Sequence, residues 1–133
     1  MSGTEYRFDG LDIWEQQLAR LIESQYPAEF RQLVIQIATE LQTKVKEKTP
    51  VKTGRLQDSW TVGNIIKRDS TYYIEVYTNV EYAAEVEYGH RKQGGRGFVP
   101  GKHMMELSLI EVQARLTPFL RQWLHDFINT HEP

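Results

Sequence analysis

The 133-residue chain contains no cysteine, so it can form no disulfide framework, thiol nucleophile or zinc–thiolate site. It has no apolar run near the ~18 residues that a membrane-spanning helix requires, and residues 1–10 are too polar for a signal peptide. We therefore expect synthesis in the cytoplasm, folding by side-chain packing alone, and no membrane partner. The length is typical of one domain, residues 1–133, with flexible ends at residues 1–10 and 129–133.

A basic excess is also missing. The formal net charge is −2, whereas dedicated nucleic-acid-binding domains are usually clearly basic. The charges are nevertheless grouped in blocks along the chain, with net values of −4 for residues 1–43, +5 for 44–68, −5 for 69–89, +4 for 90–103 and −2 for 104–133. Such blocks can pair within one chain, steer head-to-tail docking of identical subunits, or be solvated faces that happen to cluster.

Two helices are predicted before residue 50. The first covers residues 11–22, with Asp9 as its cap, and its apolar stripe consists of Leu11, Trp14, Leu18 and Leu21. The second begins at Pro27, which suits the first helical position, and runs to about Lys48 because Pro50 restricts the residue before it. Its apolar stripe consists of Phe30, Leu33, Val34, Ile37, Leu41 and Val45.

An antiparallel hairpin is predicted in the middle of the chain, with strands near residues 60–66 and 71–78. Because a hairpin alone is marginal in water, we expect its apolar face to lie on the long helix or to join further strands, with residues 98–99 or another subunit as the candidate third strand. Tyr72 faces opposite to Tyr73 and Tyr77, so both faces carry aromatic rings. We assign one face to the core and the other to a subunit interface.

Shorter helical segments are predicted on either side of this hairpin. Residues 51–59 form a connector with one or two helical turns, in which Thr53 caps a segment that contains Leu56. Residues 80–88 form a short helix. From Lys102 onward a long helix is predicted, with Pro118 either kinking it or restarting it behind a Thr117 cap. The expected class is α+β.

The candidate functional segment is a glycine-rich basic loop that starts after Gly89. Between residues 90 and 103 it has four Lys or Arg and no Asp or Glu, and its glycines make the backbone mobile. We expect this loop to bind a partner. The residues assigned to that role are His90, Arg91, Lys92, Arg96, Phe98, Lys102 and His103.

Catalytic and cofactor chemistry is not predicted. His90 and His103 lie near acidic residues, but the glycine-rich segment between them fixes no metal geometry. The Gly-Gly-Arg-Gly run lacks the Lys-Ser/Thr of a nucleotide-binding P-loop. We therefore expect no catalytic residue, no metal and no cofactor. The cations of the loop could still contact phosphates nonspecifically.

Three segments carry a distinctive pattern: residues 49–60 (TPVKTGRLQDSW), 82–89 (YAAEVEYG) and 98–105 (FVPGKHMM). In this order and spacing they resemble the tail-component family of long-tailed bacteriophages and prophages, typified by the gene-ten product of the Hong Kong ninety-seven phage, and the resemblance covers residues 33–120. The positions that match the family motifs are Pro50, Gly54, Leu56, Tyr82, Glu87 and Gly89, and we infer that they hold the fold.

The resemblance implies a noncatalytic virion protein of the neck or tail that acts in head-tail joining or tail completion. Its implied partners are a tail-terminator or tail-tube protein, head connector proteins and further copies of itself in a ring, with sixfold symmetry favoured. It would assemble in the host cytoplasm. Because a loop that orders only on its partner keeps free subunits from polymerising early, we expect the free chain to be monomeric or weakly associating, with a disordered loop. The alternatives are a small nucleic-acid-associated protein that binds phosphates through the loop, and a hydrolase that uses His90 or His103.

Overall fold

The computed structural model describes residues 11–52, 54–69, 71–92 and 94–131, and the predicted flexible segment 1–10 and the predicted cap Thr53 lie outside them. Within these ranges the element order is α1 (Ile13–Gln25), α2 (Pro27–Lys48), α3 (Arg55–Ser59), β1 (Thr61–Val62), β2 (Ile66–Arg68), β3 (Thr71–Tyr73), β4 (Val76–Tyr77), α4 (Ala83–Tyr88), β5 (Gly89–Arg91), β6 (Phe98–Pro100) and α5 (Met104–Thr130). The predicted α+β class is confirmed. None of the described helices is long and apolar enough to cross a membrane.

Helix α1 begins with a capping box at Asp12. The Asp12 side chain accepts a hydrogen bond from Glu15 N at 2.7 Å, and the Glu15 side chain accepts one from Asp12 N at 3.0 Å. The prediction that Asp9 caps this helix, with Asp12 in its first turn, is wrong, because Asp12 itself is the cap. Asp9 lies outside the described residues.

The buried face of α1 differs in part from the predicted stripe. Trp14 and Leu21 are 55% and 50% exposed, whereas Ala19 and Ile22 are buried. Leu11 is buried as predicted, and Leu18 is partly buried. The small Ala19 side chain lies on the face that packs against the neighbouring helices, where it permits close approach.

Helix α2 has the predicted bounds, with Pro27 in its first turn and Thr49 as its C-cap. It runs through both apolar cores of the molecule, as does α5. The first core lies between α1, α2 and the C-terminal half of α5, and consists of Leu11, Ala19, Ile22, Phe30, Leu33, Leu116, Leu120 and Leu124. The second lies at the opposite ends of α2 and α5 and consists of Val45, Leu56, Trp60, Met104 and Met105.

The predicted hairpin is present but interrupted. Strand β1 pairs with β4 and strand β2 pairs with β3, both antiparallel. The segment between β1 and β2 is one residue longer than the segment between β3 and β4. This extra residue lies near Gly63, a residue type that weakens regular strand pairing, and it forms a bulge in the hairpin. Tyr72 packs against Phe30 in the first core, while Tyr73 is 48% exposed, as the predicted division of the two faces requires.

The segment proposed as a third strand of this hairpin pairs elsewhere. Strand β6 forms a separate two-stranded sheet with β5, in which Gly89 is opposite Pro100 and Arg91 is opposite Phe98. The reason is local: the chain reverses within residues 92–97, and antiparallel strands can then pair without a long connection. The glycine-rich loop is therefore shorter than predicted and is flanked by strands.

The predicted long C-terminal helix is confirmed as one helix, α5, that continues through Pro118, so of the two alternatives given for this proline the restart behind a Thr117 cap is excluded. Pro118 itself is exposed, and Leu116 and Leu120 on either side of it are buried in the first core. Packing on both sides therefore outweighs the missing backbone hydrogen bond. The helix extends to Thr130, past the predicted flexible start at residue 129, and residues 132–133 lie outside the described part.

Candidate functional site

The predicted partner-binding loop forms a two-stranded arm, defined here as β5, β6 and the described residues between them. At its tip, Lys92 N donates to Gly97 O and Gly95 N donates to Lys92 O, each at 3.0 Å. The structure splits the predicted residue set in two. The exposed members on the arm are His90, Arg91, Lys92, Arg96 and Phe98.

The other two predicted residues, Lys102 and His103, lie at the base of the arm. Lys102 N donates to Val86 O at 2.7 Å, and His103 N donates to Glu87 O at 3.1 Å. These bonds attach the chain that leaves the arm to α4, the helix that precedes it. The start of α5 is thereby held beside the end of α4.

Two glycines bring the two ends of the arm into backbone contact. Gly89 has φ +90°, and a Cβ there would lie 2.5 Å from both Phe98 Cζ and Val99 O. A Cβ at Gly101 would overlap Glu87 O and would lie 2.6 Å from the Tyr88 carbonyl carbon. Only glycine fits at these two positions without moving the backbone.

Glu87 completes the base. Its side chain is buried, and its two carboxylate oxygens accept hydrogen bonds from Met105 N at 2.9 Å and Glu106 N at 3.1 Å. These amides belong to the first turn of α5, which has no other side-chain cap, and a negative charge there is favoured by the helix dipole. Glu87 therefore joins α4 to α5 through one carboxylate.

Glu87, His103 and Glu106 place one potential metal ligand each within 4.8 Å of one another. Both Glu87 oxygens already accept backbone amides, and His103 Nδ1 lies 2.9 Å from Glu106 Oε2 without the alignment of a hydrogen bond. Capping of α5 accounts for this arrangement, and we assign no metal to it. His90, the other histidine considered from the sequence, lies on the arm outside this cluster.

The first two sequence motifs meet in space at the second core. Leu56 is buried there and Tyr82 packs against it. Arg55 forms a two-pronged ion pair with Glu81, at 3.0 and 2.9 Å, and its guanidinium lies 5.6 Å from the centre of the Tyr82 ring. Gly54 immediately precedes α3 and has φ +77°. Pro50 lies at the surface after the end of α2. Segments some 25 residues apart in the sequence thus form one unit.

Several charge blocks are paired within the chain. Hydrogen bonds from Lys67, Arg55 and Lys48 lower the pKa values of Glu23, Glu81 and Glu111, respectively, below the ordinary carboxyl value. The arm differs: among the described residues, no carboxylate forms an ion pair with Arg91, Lys92 or Arg96. Its positive charge remains available to a partner.

Two supporting contacts were not predicted from the sequence. Buried Thr49 accepts a hydrogen bond from Trp60 Nε1 at 2.9 Å and donates to Val45 O at 2.6 Å. Buried Glu15 accepts Arg121 Nε at 3.1 Å through both oxygens. The first pair lies within one quoted motif, so its residue types were a usable signal. The second contact joins residues 106 positions apart, so no local signal in the sequence indicated it.

Residues 15–89 match a protein family described as "Bacteriophage HK97-gp10, putative tail-component". The chain belongs to this family. The match covers more than half of the chain and includes both motifs of the second core, and it ends at Gly89, where the arm begins. Comparison with curated proteins and with solved structures finds no significant match.

Membership in the HK97-gp10 family gives the chain a structural role in a phage tail, located in the virion and in contact with other phage proteins. The matched region includes most of α1, all of α2, α3 and α4, the hairpin, and the α4 side of the base of the arm. The arm and α5 follow the matched residues, and the segment 98–105 that was quoted for the resemblance lies beyond it.

Proposed function

We propose that this family member is a noncatalytic protein of the phage neck or tail that acts in head-tail joining or tail completion. It does so through surfaces that contact a tail-terminator or tail-tube protein, head connector proteins and further copies of itself in a ring, for which sixfold symmetry fits a tail best. The observation that carries this proposal is the exposed basic arm, fixed at its base and without an ion-pair partner among the described residues.

The base and the tip of the arm have different properties, and both suit docking. Glycine contacts and the Glu87 cap fix where the arm leaves the molecule, so little orientational freedom is lost when a partner binds. Between its described residues the tip has two backbone hydrogen bonds of its own, which leaves it able to adjust to the partner surface. In this proposal the protein assembles in the host cytoplasm, and its final location is the virion.

The test is deletion of the gene from the phage or prophage that carries it, followed by electron microscopy of the lysate. We expect DNA-filled heads and complete-length tails that remain unjoined, with infectivity restored by a plasmid copy. Infectious particles in the absence of the gene would contradict the proposal. Loss of all tails would instead indicate a role in polymerisation of the tail tube.

Free-chain behaviour provides a second test. The proposal requires that rings form on assembly and not beforehand, so the purified chain should be monomeric or weakly associating. Size-exclusion chromatography with light scattering measures this directly. A stable ring without partners would count against regulated assembly.

A second candidate function is binding of nucleic acid through the arm. It is favoured by the exposed Arg91, Lys92 and Arg96, which could contact several phosphates. The expected result is a DNA mobility shift that weakens steeply with salt and disappears when all three are replaced by Ala. Binding that persists in that triple variant would remove this candidate.

A further inference from the structure

We propose that the arm of one copy docks on the outer face of α2 of the next copy, so that the receptor for the arm is a second copy of this chain. This inference rests on the proposed self-association and adds the two surfaces that make it. The outer face of α2 is defined here as Gln32, Ile35, Gln36, Thr39, Glu40 and Thr43, which line a shallow groove of about 530 Å³.

The composition of this face fits an interface better than a solvated helix. Its only ionisable residue over about three turns is Glu40, although 26% of the chain is charged. Interface centres are depleted in charge and bordered by polar residues. The Thr39 and Thr43 hydroxyls donate to carbonyls of the preceding turn, at 2.8 and 3.0 Å.

A row of carboxylates borders this face. Glu29, Glu40 and Glu47 are separated by 11 and 7 residues, about three and two helical turns, so they lie along one line of α2. Glu29 and Glu47 are exposed, and none of the three forms an ion pair within the described residues. The nearest cation along this row, Lys44, acts on Glu111 and helps to lower the pKa of that carboxyl.

The arm complements this surface in charge and in shape. Arg91, Lys92 and Arg96 are exposed cations that can face the carboxylate row. Gly94 and Gly95 at the tip have nothing within 4 Å of the position that a Cβ would take, so their backbone can approach a helix closely. Gln32 and Gln36 offer amide donors and acceptors to the free backbone groups of the arm.

Arm and receptor lie on different parts of the chain, so the contact is heterologous and runs head to tail. Such contacts generate rings when the rotation between copies closes. Electrostatic complementarity sets the register of the contact and the rate of encounter, and it is weakened by salt. The contact therefore gives a role to the cations of the arm, which form no ion pair within the described residues.

The natural absence of cysteine allows a direct linkage test. Chains that carry Gly95→Cys are mixed with chains that carry Gln36→Cys and are oxidised at low salt. We expect disulfide-linked heterodimers at a yield on the order of tenfold above the matched control, Gly95→Cys mixed with Glu85→Cys on α4. Equal or higher linkage to the α4 position would overturn the proposal.

A charge swap tests the same contact without relying on one pair of sites. The double variant Arg91→Glu, Arg96→Glu, introduced into both cysteine-bearing chains, should lower the yield of disulfide-linked heterodimers on the order of tenfold. Adding Glu40→Lys and Glu47→Lys to both chains should restore that yield. Restoration by Glu75→Lys with Glu85→Lys instead, or by neither pair, would show that the receptor is not α2. Circular dichroism of each purified variant checks that the chain is folded.

The linkage assay also separates this inference from the proposed function. The double cysteine variant, Gln36→Cys with Gly95→Cys, should give a ladder of linked copies both in solution and in purified virions. If the copies are linked in solution but the protein is missing from purified virions, the proposed function is wrong and the α2 receptor stands. Chain present in virions without the linkage would remove the α2 receptor alone.

Discussion

Glu87 joins α4 to α5 through its carboxylate, and its backbone carbonyl accepts a hydrogen bond from His103 N at the base of the arm. The isosteric change Glu87→Gln removes the charge and turns one acceptor into a donor that faces a backbone amide. We expect the free energy of unfolding to fall by about 1–3 kcal/mol, because a buried amide of α5 is left unsatisfied. Urea denaturation monitored by circular dichroism measures this loss. The matched control, Glu85→Gln on the exposed face of α4, should stay within about 0.5 kcal/mol of the parent chain.

Thr49 has a comparable role in the second core. Its hydroxyl is buried, accepts the Trp60 indole N–H and lies 3.4 Å from Met104 Sδ. Thr49→Val keeps the shape and leaves the indole unpaired, so we expect a loss of about 1–3 kcal/mol in thermal or urea unfolding. Thr49→Ser keeps the hydroxyl and should retain most of the stability. A Val variant as stable as the Ser variant would show that the hydrogen bond contributes nothing net.

Elements depend on contacts of a different kind, and the arm is the clearest case. Gly89 and Gly94 share a positive φ, near +90°, but only Gly89 is crowded. Gly94→Ala should therefore cost about 1 kcal/mol of backbone strain, while Gly89→Ala should cost about 1–3 kcal/mol more. Unfolding curves of the two variants provide the comparison. Equal losses would indicate that the base of the arm can open to admit a methyl group.

The hairpin is tied to α1 by an ion pair whose pH dependence can be stated. Lys67 Nζ and Tyr72 Oη donate to Glu23 Oε1 at 2.7 and 3.1 Å, and the pKa of Glu23 is lowered, mainly by the Lys67 hydrogen bond. A carboxyl with a lowered folded-state pKa adds stability above its unfolded-state pKa. That contribution is lost as pH falls through the lowered value.

Glu23→Gln should accordingly reduce stability by less than about 1 kcal/mol at neutral pH, since the pair is partly exposed. The difference from the parent chain should shrink on acidification and vanish below the folded-state pKa of Glu23. Thermal unfolding at a series of pH values checks this course. Glu75→Gln, an exposed carboxyl of the same hairpin, is the control and should show no comparable difference at neutral pH.

Which elements the sequence could predict depends on how local their determinants are. The bounds of helix α2 were predicted closely because Pro27 starts it and Pro50 follows its cap. The face that α1 buries was predicted only in part, since Trp14 and Leu21 form an equally regular apolar stripe and only packing chooses between stripes. Strand β6 was given the wrong partner, because three residues carry no pattern that identifies the strand they pair with.

The candidate site shows the same division. The cations and glycines of the arm were recognised from composition alone, because both are local properties. The separation of Lys102 and His103 from the tip was not, because it follows from their hydrogen bonds to α4. The capping role of Glu87 likewise depends on a helix start 18 positions later in the chain.

The whole molecule presents an exposed basic arm beside a scaffold that is held by its own two apolar cores, so the arm should affect assembly and not folding. The triple variant Arg91→Ala, Lys92→Ala, Arg96→Ala should unfold within about 2 °C of the parent chain, because surface changes cost little. In a phage complementation assay it should restore far fewer infectious particles than the parent gene. Lys52→Ala, Arg68→Ala, Arg115→Ala makes the same change in net charge elsewhere on the surface and should complement normally.

The attachment of the arm to α5 has a mechanical consequence. Helix α5 has 27 residues and is about 40 Å long, and its far half is held in the first core and by the contact of Arg121 with Glu15. A pull on the arm is therefore transmitted through the hydrogen bonds of Lys102, His103 and Glu87 into the axis of the longest helix. The load is shared along α5, so the two short strands of the arm do not carry it alone.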